Sequence, residues 1–168
     1  MIFKFLSKNY YISFSIVALI YFLDRLSKIY VIQLDKNNLG SDIFNSAYLD
    51  IVLIWNKGIA FGLFSFNESH LYNILSLIIS IIVIILIIMS VKNKGFKRYS
   101  LLMIVGGALG NLHDRIFFNA VPDFIDLHVG NYHWFIFNVS DIFITFGVIC
   151  MIILELINND KNDIDEKI

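Results

Sequence analysis

Asp123 and Asp141 are the residues of this chain best placed to do chemistry. They stand in the strings VPDF and FNVSD, eighteen positions apart, with no lysine or arginine between them. A carboxylate held where apolar segments meet a membrane surface is costly, and is usually kept for a function. Two carboxyl groups close enough to share one proton can activate water without a metal or a covalent intermediate. Spacing alone does not single out this pair. Asp126 rivals Asp123 in the same DFID string, Asp114 lies nine residues before it, and a cap or surface role fits either position.

The elements that must position these groups are membrane spans. The chain has 168 residues, 58% hydrophobic and 15% aromatic, with a mean hydropathy of +0.73. Such a composition excludes an ordinary soluble domain. Residues 71–91 carry no charge, a length sufficient to cross a hydrocarbon core of about 30 Å. Three further apolar segments, about 10–34, 100–118 and 134–157, bring the expected number of spans to four. The first lacks a small-residue cleavage site and reads as a retained helix. Residues 1–168 therefore read as one integral membrane domain, an all-α four-transmembrane-helix bundle. Its outer loop, about 35–70, contains AYLDIVLIW followed by NKGIAFG, which predicts a small β-rich extracytoplasmic cradle within 43–66, with a short interfacial helix. The tail 158–168, NNDKNDIDEKI, is polar and is expected to be disordered.

Basic residues set the orientation. Lys4 and Lys8 precede the first span, Lys92, Lys94, Lys97 and Arg98 join the second and third, and Lys161 and Lys167 follow the fourth. Both termini and the 92–99 connection are thus expected in the cytoplasm, and segments 35–70 and 119–133 outside. On this topology Asp24, Arg25, Lys28, Asn111, Asp114, Arg115, Asn138 and Asp141 all fall in the outer half of the membrane. A net charge of −1 gives no reason to expect a nucleic-acid partner. Cys150, the single cysteine, lies within the fourth span and reads as a packed thiol.

Each motif also has a plainer reading. In GGALGNLHDRI, Gly106 and Gly110 permit close helix approach, while Asn111, Asp114 and Arg115 share one face. Arg115 is expected to pair with a carboxylate, and Asp114 with backbone or asparagine groups, or the set forms a structural knot. Asp24 and Lys28, at i and i+4, form a self-neutralising pair or, with Arg25, bind a lipid phosphate. Asn56 before Lys57-Gly58 is an ordinary turn residue. His113, His128 and His133 show no metal-ligand spacing, so no metal or other cofactor is expected.

In register, FLDRLSK, WNKGIAFG, GGALGNLHDR, VPDFID and FNVSD resemble the lipoprotein signal peptidases (signal peptidase II), bacterial membrane aspartyl enzymes. The resemblance covers essentially the whole chain. It implies that Asp123 and Asp141 are the catalytic pair, and that Asp24, Lys28, Asn56, Gly58, Gly107, Asn111, Asp114, Arg115 and Asn138 support the site or bind substrate. It further implies a hydrolase of the bacterial cytoplasmic membrane, acting near its outer face. The substrate would be a diacylglyceryl-modified prolipoprotein, cut before the lipidated cysteine, with membrane lipids as surroundings and a monomer sufficient for the chemistry. A non-catalytic membrane scaffold or small transporter using the same charges is the alternative. Three positions depart from the family pattern: Asn119 for glycine, Ser140 for alanine and Ser27 for threonine. Asparagine tolerates a left-handed backbone, so the turn at 119 can survive.

Overall fold

The computed structural model describes residues 2–37, 43–58 and 69–165, with side chains described at 10–37, 43–58 and 72–157. Four helices carry the fold: α1 (Ile2–Asn37), α2 (Ser69–Lys92), α3 (Gly95–Phe118) and α4 (Val139–Asp165). Three of them, over Tyr72–Lys92, Gly95–Phe118 and Val139–Ile157, are long and apolar enough to cross a membrane. The 36-residue α1 interrupts its apolar sequence with Asp24, Arg25 and Lys28. α4 continues to Asp165, so the order expected to end at residue 157 extends further. The short interfacial helix and the glycine turn after Gly58 fall in the segment 59–68, outside the described residues.

α3 is the hub, packing against α1, α2 and α4. Its small residues make that possible. A Cβ added at Gly107 would lie 2.5 Å from the Ser140 carbonyl oxygen of α4, and one at Gly110 would run into the Ser140 hydroxyl and the Asp24 carboxylate. Glycine therefore brings the α3 backbone against the first turn of α4, as close approach between membrane helices requires. Ile20, Leu101, Leu102 and Val105 fill the apolar contact below, while large side chains on the outer faces of all four helices are exposed, as a lipid-facing surface demands.

The sheet is three-stranded and antiparallel, in the order β1 (Leu49–Asn56), β2 (Val121–Val129), β3 (Tyr132–Phe137). β1 forms where the AYLDIVLIW string predicts a strand. The other two strands correct the sequence reading, which placed the whole sheet within 43–66 and began the fourth span at Trp134. Residues 132–137, YHWFIF, are aromatic and β-branched and pair with β2 instead. A two-residue turn joins them, with Gly130 at φ 59° and Val129 opposite Tyr132. Helix α4 starts only after Asn138. At the other end of β2, Asn119 closes α3 in the left-handed region, φ 53° and ψ 23°, and the chain turns directly into Val121-Pro122.

Candidate active site

The polar residues converge where the first turn of α4, the C-terminal third of α3 and the C-terminal half of α1 meet the sheet. Asp123, the third residue of β2, directly after Pro122, is 3% exposed, and Asp141, in the first turn of α4, is 6% exposed. Asn138 joins them. Its side-chain Nδ2 donates to Asp123 Oδ1 at 2.6 Å, and its backbone N–H donates to Asp141 Oδ2 at 3.1 Å. Asn138 Oδ1 in turn accepts from the Asp141 backbone N–H at 3.1 Å. This reciprocal arrangement is a capping box, in which cap and third helical residue satisfy each other's orphan N–H groups. The Asn138-Val-Ser-Asp141 spacing therefore starts the helix and aims one carboxylate in a single device.

Each carboxylate receives a second amide. Asn56, last residue of β1, donates Nδ2 to Asp123 Oδ2 at 2.9 Å, and its Oδ1 accepts from the Gly58 N–H at 2.8 Å. The turn role expected of Asn56 and a role at the site are thus both filled. Asn111 of α3 donates Nδ2 to Asp141 Oδ1 at 2.8 Å. Arg115 donates Nη2 to the Gly58 carbonyl at 2.8 Å, which pins the chain leaving β1, and its guanidinium lies 5.8 Å from the Tyr72 ring centre. This corrects the expectation of a carboxylate partner for Arg115. Its Nε and Nη1 are buried and have no hydrogen-bond partner among the described residues. Among the described residues, neither Asp123 nor Asp141 forms an ion pair with a lysine or arginine. Burial above all, and then the Asp141 charge, push the Asp123 carboxyl up to about 6, against the opposing hydrogen bonds of Asn56 and Asn138.

Beneath this pair lies a second cluster of charge. Asp24, Lys28 and Asp114 are fully buried, and Arg25 nearly so. Arg25 grips Asp114 with both terminal nitrogens, Nη1 to Oδ1 at 2.6 Å and Nη2 to Oδ2 at 2.7 Å. Lys28 Nζ reaches Asp24 Oδ2 at 2.9 Å, Asp114 Oδ2 at 2.7 Å and Asn111 Oδ1 at 2.8 Å. The Asp24 Oδ1 accepts from the Ser140 backbone N–H at 3.0 Å. Two acids and two bases thus tie α1, α3 and α4 together. Asp114 takes both cations, rather than the backbone and asparagine groups expected, and no surface lipid phosphate is within reach of a cluster this enclosed. Lys28 also holds Asn111 in the orientation that serves Asp141.

Asp126, the rival of Asp123, lies three residues further along β2 and therefore on the opposite face of the sheet. It is bonded to His133 Nδ1 at 2.8 Å. His113 accepts or donates at Nδ1 with the Tyr21 hydroxyl, 2.8 Å away. Gly107 and Gly58 act through their backbones, the first by admitting α4 and the second by linking Asn56 to Arg115. Sequence reasoning missed the Ser140 amide as a partner of Asp24, because a backbone donor leaves no trace in residue type. An apolar groove of ≈ 430 Å³ between β3 and α4, lined by Leu127, Trp134, Phe135, Ile142 and Phe146, opens at Asp141.

A helical, multi-pass membrane protein with a buried, amide-held carboxyl pair at its helix–sheet junction is the class that this fold and site define. The family model described as Signal peptidase (SPase) II matches residues 16–157, and the chain belongs to that family. It is similar to the protein named lipoprotein signal peptidase in Pelagibacter ubique (strain HTCC1062), at 48% identity over 154 residues, 92% of this chain and 93% of that one. The protein of that name in Anaplasma phagocytophilum (strain HZ) is 44% identical over 137 residues, 80% of this chain and 85% of the relative. Two solved structures, each described as a bacterial membrane enzyme, share the fold. One has a TM-score of 0.72 at 28% identity, covering 89% of this chain and 90% of that one, and the other 0.70 at 30%, covering 86% and 92%.

Proposed function

We propose that this chain is an aspartic endopeptidase that removes signal peptides from diacylglyceryl-modified prolipoproteins, cutting before the lipidated cysteine, with Asp123 and Asp141 as its catalytic pair. One observation supports this above the rest: Asn138 donates to both carboxylates at once, while every nearby cation is engaged elsewhere or held off. A scaffold would neutralise such acids with the available bases. Here the bases neutralise Asp24 and Asp114, and the pair is left to neutral amides.

In the reaction we assign, Asp141 is the base, since the first turn of a helix favours negative charge, and Asp123 holds the shared proton. Asp141 takes a proton from water as the water oxygen adds to the scissile carbonyl carbon, and Asp123 donates its proton to the carbonyl oxygen. The proton on Asp141 then passes to the leaving nitrogen as the C–N bond breaks, and Asp123 recovers its proton from the tetrahedral hydroxyl. Asn56, Asn111 and Asn138 fix the two carboxylates, and Arg115 pins the Gly58 carbonyl beside Asn56. The β3–α4 groove gives a lipid-bearing substrate lateral access to Asp141. In this reading α1 is a fourth span, both termini are cytoplasmic, the sheet lies at the outer face, and a monomer without cofactor is sufficient.

The test uses purified enzyme in detergent and a precursor with and without its diacylglyceryl group. Asp123→Asn and Asp141→Asn should each lower cleavage of the lipidated precursor by at least about 10³-fold, within the range of positioned acid–base catalysis, with helix content unchanged. Full activity in either variant, or equal cleavage of the unmodified precursor, would overturn the assignment.

A further inference from the structure

A second group of titratable side chains occupies the face of the sheet turned away from Asp123. In the β1–β2 register Asp50 stands directly opposite Asp126, and in the β2–β3 register His128 stands opposite His133. Like charges directly opposed on a sheet are unfavourable, so the two acids need cations between them. A histidine stands against each acid. His133 Nδ1 lies 2.8 Å from Asp126 Oδ2, joining β3 to β2, and His128 Nε2 lies 3.2 Å from Asp50 Oδ1, joining β2 to β1. The two rings stack with centroids 4.9 Å apart at 23°.

The surroundings of His128 favour its charged form on geometry. Its Nδ1 faces the Gly130 carbonyl oxygen at 3.3 Å while its Nε2 faces the Asp50 carboxylate. Both neighbours only accept hydrogen bonds, and a neutral imidazole has one N–H to give, so only the imidazolium serves both. The Nε2–Asp50 approach is an ion contact at 3.2 Å. The acids acting on the ring are Asp50 of β1 and Asp126 of β2. Burial pulls the His128 imidazole down, but these acids and the Gly130 carbonyl outweigh it and leave it above the ordinary 6.5. The Ser46 N–H and then His128 hold Asp50 below its ordinary 3.8.

These strands end at the site. β1 terminates in Asn56, and Asp123, the third residue of β2, pairs with Ile54 in the register. We propose that His128 and His133 are positioning residues. With Asp50 and Asp126 they form a clasp across the three strands, proton-dependent at the His128–Asp50 contact, which fixes the sheet from which Asn56 and Asp123 reach the site. A histidine raised in the folded state contributes stability that is complete below its unfolded value and lost as pH rises through its folded one. The clasp is therefore closed in mild acid and loosens toward alkaline pH.

Hydrogen exchange tests the clasp without reference to catalysis. After correction for the intrinsic rate, amides of β1 and β2 in the wild type should exchange about two- to fivefold faster at pH 8 than at pH 6, the span expected for partly exposed ion pairs. His128→Gln should exchange at the faster rate at both pH values, and His128→Lys should restore protection and remove the pH dependence. Asp50→Asn, which leaves both histidines in place, should behave like His128→Gln. Under the peptidase reading, which this part alone rests on, KM for the lipidated precursor should rise over the same pH interval in the wild type and not in His128→Lys. A wild type and His128→Gln with the same exchange profile would overturn the clasp. Intact exchange behaviour with no cleavage would leave the clasp standing and count against the peptidase reading instead.

Discussion

Two pairs of buried aspartates lie within one small volume of this protein and are treated in opposite ways. Asp24 and Asp114 are each met by lysine or arginine, and the four charges sum to zero inside the helix packing. Asp123 and Asp141 are met by the amides of Asn56, Asn111 and Asn138. Full pairing with cations fixes protonation as well as position, so the first pair can only hold helices together. Amide donors fix position alone. Under the proposed function the second pair keeps an exchangeable proton, as acid–base chemistry needs. Asn111 and the Ser140 amide connect the two clusters, so the structural set sets the geometry of the other.

That contrast can be broken by exchanging the same residue type at both sites. Asp123→Asn or Asp141→Asn should remove activity by the 10³-fold or more given above, yet leave thermal unfolding in detergent nearly unchanged. Asp114→Asn should do the reverse to the balance. It strands Arg25 and Lys28 without their shared carboxylate, and removing one partner from a buried set costs about 3–5 kcal/mol. Thermal denaturation followed by circular dichroism would show it. If Asp114→Asn proved as stable as the wild type, the division into a structural and a reactive pair would fail.

A smaller effect sharpens the comparison through pH. Asp123 is held up to about 6, above its ordinary 3.8, so between those values the folded protein binds a proton that the unfolded chain has released. Stability should therefore fall as pH rises through that window, since it falls wherever the folded state binds more protons. Asp123→Asn should flatten this part of the stability curve, and a curve identical to the wild type would count against the raised carboxyl. Smallest of all is the pair Lys97–Glu155, 3.5 Å apart and well exposed. Lys97→Ala should change stability by less than about 1 kcal/mol, and a larger loss would show that surface pairs here are not screened as expected.

How much of this could be read from the residues alone differs from element to element. The strand at 49–56 was legible in its β-branched and aromatic run, and the close helix contact in Gly106, Gly107 and Gly110. The hairpin was not, although VPDFIDLHV-GN-YHWFIF alternates around a Gly-Asn turn. Its aromatic second arm is as apolar as a span, and hydropathy cannot separate the two. Asp141 was legible as a helix-start residue, and the capping box with Asn138 is what holds it there. Arg115 was misread because a backbone carbonyl, its actual partner, has no signature in sequence.

The sequence by itself determined that this chain is a membrane protein, and its resemblance to a family, which spacing could not replace, made Asp123 and Asp141 in VPDF and FNVSD the expected pair. Hydropathy, charge bias and motif order are one-dimensional properties, and each can be read along a chain. Only the tertiary structure decided which cation meets which acid, that Asp126 turns its back on Asp123, and that Asn138 bridges the pair. Those outcomes depend on which helices and strands come within about 3 Å of one another, since a hydrogen bond or ion pair exists only at that range.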